Sequence, residues 1–237
     1  MFLVEKTDRK QQQAELATQI KKLIKAIDLR PKDPQQYYAL GMLLTKSQQY
    51  SQAEELFKRA INFFKHQHLA TDLLEYGLGN VLYSAGLYQE SLTTFQQVKS
   101  ADLKNDAYLM IAQNYYAQEN YQQALAFALT VSEQTKNQQV DGWLLAGESF
   151  LALGNLKLAA KYFDQVLANR PTSFQANFER GVIEMVWQQQ GDRFFKRAEK
   201  ADPTKFAQQQ ERLADIERVL IAKQQGEITG GKQSDSN

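Results

Sequence analysis

The sequence predicts an all-α protein, a solenoid of antiparallel helix pairs, and three observations lead to this prediction. A small residue recurs at Gly41, Gly79, Ala112 and Gly147, at intervals of 38, 33 and 35 residues. Each is followed by a second helical stretch that carries a further small residue and then apolar positions. The chain has only 4 prolines and 12 glycines in 237 residues, so long helical stretches are left uninterrupted.

The recurring pattern divides the chain into helix pairs with defined boundaries. Five repeats are expected, the last of them degenerate: 34–71, 72–104, 105–138, 139–172 and 173–203. Residues 1–33 are expected to form an N-terminal helix or half repeat, and residues 203–225 a polar-faced capping helix. Residues 1–225 are therefore predicted to be a single solenoid, and residues 226–237 a disordered tail.

The fourth repeat shows most clearly which family the pattern resembles. It has Trp143 and Gly147 on its first helix, Ala159 and Phe163 on its second, and Pro171 after it. This arrangement resembles the tetratricopeptide repeat, in which such positions recur about every 34 residues. The resemblance covers most of the chain, and it implies a right-handed superhelix whose first helices line a concave face.

Small residues and phenylalanines should have complementary roles in such helix pairs. A glycine or alanine on the first helix lets the second helix cross closely, and the second helices supply small residues of their own at Ala53, Ser91, Ala124 and Ala159. We expect Phe57, Phe95 and Phe163 to fill the space between neighbouring repeats, each contributing about 1.5–3 kcal/mol by burial.

Composition excludes several classes of function. With 28 basic and 27 acidic residues the net charge is +1, which argues against nucleic acid as the main partner. The absence of cysteine excludes disulfides, thiolate nucleophiles and sulfur-ligated zinc. No apolar stretch is long enough to span a membrane, and the apolar segment at Met1–Val4 is too short for a signal peptide. We therefore expect a cytoplasmic protein.

No motif in the sequence predicts catalysis. The two histidines, His66 and His68, lack the spacing and the partners of a metal site. Residues 226–232 fit the start of a phosphate-binding loop, but Gln233 replaces the required serine or threonine, and neither a strand nor a following helix is available. The sequence therefore predicts a protein that is not an enzyme and that uses no cofactor and no metal.

The resemblance also implies which side chains face the concave groove. Three positions on each first helix usually point into it, and on four helices they give twelve residues. The candidate partner-binding residues are ten of these: Tyr38, Met42, Tyr76, Asn80, Tyr83, Leu109, Gln113, Tyr116, Leu144 and Glu148. Tyrosine is favoured at recognition surfaces because it offers a large, rigid contact area with a polar end. The alternative is that these tyrosines pack against neighbouring helices or are covered by the C-terminal helix.

One known activity of such repeats is not expected. Domains that clamp the C-terminal carboxylate of heat-shock chaperones need basic and asparagine side chains in the groove. Asn80 suits that role, but Tyr38, Met42, Gln113 and Ala117 occupy positions where cations or asparagine are required. The sequence therefore argues against a chaperone carboxylate clamp.

The sequence thus predicts a non-catalytic adaptor or scaffold that binds a peptide or protein segment in its concave groove. Two alternatives stay open at this point: a regulator that senses a small signalling peptide or ligand, and a self-assembling structural protein. An apolar stripe left uncovered on a terminal helix would favour self-assembly. The partner depends on a few groove side chains that the fold does not specify.

Overall fold

The structure is a computed structural model that describes residues 2–134, 139–187 and 191–231, with side chains described for 14–134, 139–187 and 191–222. Within these ranges every regular element is an α-helix. The helices form two compact units, residues 1–138 and 139–237, each of which is described separately. The repeat pattern of the sequence predicts one solenoid over residues 1–225. The unit boundary coincides with the expected boundary between the third and fourth repeats.

The first unit is a stack of helix pairs preceded by one long helix. Its helices are α1 Phe2–Leu29, α2 Pro34–Lys46, α3 Tyr50–His66, α4 Asp72–Ser84, α5 Tyr88–Phe95, α6 Ala101–Ala117 and α7 Tyr121–Gln134. The first helices of the pairs, α2, α4 and α6, contact one another in sequence, and each also contacts its own second helix. The first helices therefore form one layer of the unit and the second helices the other.

The second unit continues the same alternation. Its helices are α8 Gln139–Ala152, α9 Leu156–Asn169, α10 Phe174–Val186, α11 Asp192–Ala201 and α12 Pro203–Gly231. Each helix contacts the next one along the chain. On α12, the apolar side chains of Phe206, Leu213 and Ile216 pack against a cluster that includes Phe178 and Ala198.

The last helix is longer than the sequence suggested. It continues to Gly231, whereas the capping helix was predicted to end at residue 225 and residues 226–237 to be disordered. Glycine lowers helix stability by only about 1 kcal/mol, so Gly226 weakens a helix without necessarily ending it. The rest of the predicted tail, residues 232–237, lies outside the described residues.

The turn inside each helix pair uses the same backbone conformation at the same position. Gln48, Gly86, Glu119 and Gly154 each stand seven residues after the small residue of their first helix, and all have a positive φ, between 59° and 78°. Glycine adopts this conformation without strain, and other residues do so at a modest energetic cost. The turns therefore follow one geometry even where glycine is replaced.

The glycines of the first helices are required by close packing of phenylalanine rings. A Cβ atom added to Gly41 or to Gly77 would lie closer than 3.0 Å to ring carbons of Phe57, which is fully buried between α2 and α4. The same relation joins Gly79 to Phe95 and Gly147 to Phe163. The small residues of the second helices, Ala53, Ser91, Ala124 and Ala159, are likewise fully buried. The expected complementarity of small residues and rings is confirmed.

Candidate functional site

The candidate groove residues are distributed over both units. Eight of them lie on α2, α4 and α6 of the first unit, and Leu144 and Glu148 lie on α8 of the second. All ten are partly buried, with neither fully exposed nor fully enclosed side chains. Each unit therefore has its own set of candidate residues on its first helices.

Two tyrosines from neighbouring first helices stack on each other in the first unit. The ring centroids of Tyr38 on α2 and Tyr76 on α4 are 6.4 Å apart, with an interplanar angle of 26°. The Tyr76 ring also meets the buried Phe95 ring at 5.6 Å and 61°. The absence of a side chain on Gly77 makes room for Tyr38, since a Cβ there would lie 3.1 Å from its ring. The core thus fixes the position of the stacked pair.

The two stacked phenols stay neutral at physiological pH. Burial raises the pKa of Tyr76 to about 12, with smaller contributions from the nearby Asp106 carboxylate and from Tyr38, while a side-chain hydrogen bond with Asn80 acts in the opposite direction. Burial and Asp106 also raise the pKa of Tyr38. Both hydroxyl groups therefore keep their protons and can act as hydrogen-bond donors, although the Tyr76 hydroxyl already has Asn80 as a partner.

Asp106 is a further candidate residue, one that the family positions do not include. It lies on α6, where its charge acts on both phenols, and burial raises the pKa of its carboxyl group above the ordinary value. A signal for it was present in the sequence, because Asp106 stands three residues before Leu109 and seven before Gln113, on the same helical face. The motif positions taken from the family begin one turn later and so did not include it.

The other two candidate tyrosines pack within their own helix pairs. Tyr83 meets Tyr88 at the start of α5, with ring centroids 5.5 Å apart, and Tyr116 meets Tyr121 at the start of α7 at 5.2 Å. These contacts fit part of the alternative interpretation, in which the tyrosines pack against neighbouring elements. The stacked pair of Tyr38 and Tyr76 is different because it joins two consecutive repeats.

In the second unit the two candidate residues have different roles. Leu144 packs against the apolar core of α8 and α9. Glu148 is largely enclosed by protein. Its burial raises the pKa of its carboxyl group to about 7, and the charge of Glu179 on α10 contributes to this rise. Glu179 is itself buried, and the guanidinium of Arg212 on α12 binds both its oxygens, at 2.8 Å and 3.0 Å. The result is a pair of acidic side chains for which Arg212 supplies a positive charge.

The raised pKa of Glu148 predicts that the second unit becomes less stable as the pH rises. The folded protein retains a proton that the unfolded chain loses above about pH 4.5, so the free energy of unfolding falls between about pH 4.5 and 7. Glu148→Gln should remove this dependence and raise stability at pH 8 by about 1–2 kcal/mol, with little effect at pH 4.5. Urea unfolding followed by tryptophan fluorescence measures it.

A matched variant separates this effect from a general change in charge. Glu199 is an exposed acid on α11 of the same unit, and Glu199→Gln should leave the free energy of unfolding unchanged at both pH values. An equal effect of the two substitutions would contradict the explanation based on burial of Glu148.

Neither a metal site nor a membrane-spanning helix is found in the part of the chain that the structure describes. Among the described residues, no group of three or more histidine, aspartate or glutamate side chains is placed to hold a metal ion. His66 and His68 are both exposed. None of the described helices is long and apolar enough to cross a membrane.

Comparison with known proteins identifies the family. Two models of the tetratricopeptide repeat match the sequence, one over residues 76–138 and 144–186 and the other over residues 35–64, and together they span more than half of the chain. The chain belongs to the tetratricopeptide repeat family. A comparison with curated proteins found no similar sequence.

Solved structures of other tetratricopeptide repeat proteins resemble this one. YrrB, described as having an unusual peptide-binding site, is 18% identical with a TM-score of 0.55, over 80% of this chain and 97% of YrrB. The C-terminal part of a repeat protein from Cytophaga hutchinsonii is 14% identical with a TM-score of 0.63, and the match covers 86% of this chain and 81% of that protein. A chain of the APC/C hetero-tetramer Cut9–Hcn1 is 12% identical with a TM-score of 0.63, and the match covers 80% of this chain and 37% of that chain.

At these identities the likeness concerns the fold alone. The family and the fold together identify this tetratricopeptide repeat protein, in general terms, as a protein-interaction scaffold.

Proposed function

We propose that this protein is a non-catalytic adaptor that binds an extended peptide segment along α2, α4 and α6 of its first unit. The observation that carries the proposal is the stacked pair of Tyr38 and Tyr76, which joins consecutive first helices and is only partly buried. Rigid aromatic side chains that keep a polar end are suited to binding because little side-chain entropy is lost.

Two amide side chains complement the tyrosines. Asn80 and Gln113 stand at equivalent positions, one residue after the small residue of α4 and of α6. Both are partly buried, and each can donate and accept hydrogen bonds with the backbone of a peptide. Such bonds do not depend on the peptide's side chains, so they favour a bound segment in an extended conformation.

The proposed function is tested with peptides chosen by the protein itself. Dodecapeptides are selected from a random display library on the immobilised full-length protein, synthesised with a fluorophore and measured by fluorescence polarisation. Asn80→Ala combined with Gln113→Ala should weaken binding about tenfold, because two neutral hydrogen bonds of about 0.5–1.5 kcal/mol each are lost.

The control is a pair of glutamines on the opposite layer. Gln122 and Gln123 are exposed on the second helix α7, and replacing both by alanine should leave the affinity unchanged. Failure to select any peptide, or equal losses in the two double variants, would contradict peptide binding along the first helices.

A further inference from the structure

Asp106 has no basic partner in the described part of the chain, whereas three other acids of this protein that are withdrawn from water each have one. Glu75 faces Lys65 at 3.3 Å, Glu184 faces Arg180 at 2.6 Å, and Glu179 is held by Arg212. Among the described side chains, no lysine or arginine forms an ion pair with Asp106, although it is partly buried on α6. A partly buried carboxylate that has no counterion therefore gains from binding a cation.

The groups beside Asp106 are suited to a cation. The rings of Tyr38 and Tyr76 stack on each other with their centroids 6.4 Å apart, and the charge of Asp106 acts on both of their neutral phenols. A neutral aromatic ring attracts a positive charge placed over its face, and the attraction grows when the site is partly dehydrated. We call the surface formed by Tyr38, Tyr76 and Asp106 the tyrosine–aspartate patch.

We propose, on the basis of the proposed function, that the tyrosine–aspartate patch binds an arginine side chain of the bound peptide. A guanidinium group is planar, so it can lie against a tyrosine ring while its edge donates two hydrogen bonds to the Asp106 carboxylate. Lysine satisfies the charge but offers no planar fork, so arginine is preferred. The patch therefore gives the groove specificity that the backbone-binding amides Asn80 and Gln113 do not provide.

The test uses the peptides selected on the full-length protein. They should be enriched in arginine, and Asp106→Asn should weaken their binding about tenfold, because a charge-assisted bond is lost. Replacing the peptide's arginine by glutamine should weaken binding to the wild type to a similar extent. The same peptide change should have less than about a twofold effect on Asp106→Asn, since the two groups act through one interaction.

Two further variants keep the result interpretable. Glu90 is an exposed acid on the second helix α5, and Glu90→Gln removes the same charge away from the patch, so it should change affinity less than about twofold. Asp106→Glu retains the charge and should retain the preference for arginine. Circular dichroism of each variant confirms that the helices are unchanged.

The outcomes separate this inference from the proposed function. Peptides that lack basic residues, or that bind Asp106→Asn as tightly as wild type while losing affinity for Asn80→Ala/Gln113→Ala, would overturn the arginine site and leave peptide binding intact. If no peptide is selected, the proposed function fails and the inference fails with it.

Discussion

Replacing Phe57 with alanine should destabilise the first unit by about 3–5 kcal/mol. The Phe57 side chain is fully buried, and its ring lies against the backbone of Gly41 on one helix and of Gly77 on the next. Both helices lack a side chain at the contact, so neither can fill the space that the ring leaves. The cavity would therefore persist, and the loss should be near the upper end for a phenylalanine substitution.

The distribution of tryptophan allows the two units to be followed separately. The chain has two tryptophans, Trp143 and Trp187, and both lie in the second unit. Circular dichroism reports all helices, so urea unfolding of Phe57→Ala followed in this way should show a lower midpoint. Tryptophan fluorescence reports the second unit alone.

A neighbouring phenylalanine provides the control. Phe63 lies on the same helix, is 36% exposed, and meets Phe64 edge to face at 5.7 Å. Phe63→Ala should lower the free energy of unfolding by less than about 1.5 kcal/mol. Similar losses for Phe57→Ala and Phe63→Ala would contradict the role of Phe57 as the ring that joins two repeats.

Replacing Arg212 with methionine should destabilise the second unit by about 2–4 kcal/mol, because it leaves the buried carboxylate of Glu179 without its counterion. The Glu179 side chain is 5% exposed and that of Arg212 45%, so the loss is smaller than for a fully buried pair. Methionine keeps the apolar contact with Phe178, whose ring centroid lies 5.4 Å from the guanidinium carbon. Tryptophan fluorescence during urea unfolding measures the change.

A second substitution shows whether the unpaired charge causes this loss. Adding Glu179→Gln to Arg212→Met removes the carboxylate as well and should restore more than half of the lost stability. Arg218→Met, which breaks an exposed pair with Asp215 on the same helix, should cost less than about 1 kcal/mol. A double variant no more stable than Arg212→Met would contradict the electrostatic explanation.

The repeat pattern was predictable from sequence because the contacts that define it recur at fixed spacing. Gly79 and Phe95 meet within one helix pair, and the same spacing places Gly147 on Phe163. Close packing requires a glycine or alanine wherever the two helices of a pair cross, so the position of each crossing can be identified in the sequence. The fold class follows from this local regularity.

The electrostatic features were not predictable in the same way. Glu148, Glu179 and Arg212 come from three helices, and no spacing in the sequence shows that they meet. Asp106 shares a helical face with Leu109 and Gln113, but nothing in the sequence places it near the two phenols. Its environment becomes apparent only when α2 packs against α4 and α4 against α6, which brings Tyr38 and Tyr76 close enough for its charge to act on both.

Core and candidate groove are linked in the first unit. Phe57 packs against Gly77, and the bare backbone of Gly77 also accommodates the ring of Tyr38. Tyr76 in turn rests on Phe95, the equivalent ring of the next repeat. The tyrosines that are proposed to bind a partner are therefore held by the same contacts that stabilise the repeats. Binding should cost little side-chain entropy, because these rings are already ordered.

The central claim is that a peptide binds along the first helices of the first unit, and amide chemical shifts test it most directly. The isotope-labelled full-length protein is titrated with a selected peptide and observed by NMR. We expect the largest shift changes in α2, α4 and α6, centred on Tyr38, Tyr76, Asn80 and Asp106. Changes concentrated instead in the second helices α3, α5 and α7 would contradict the claim.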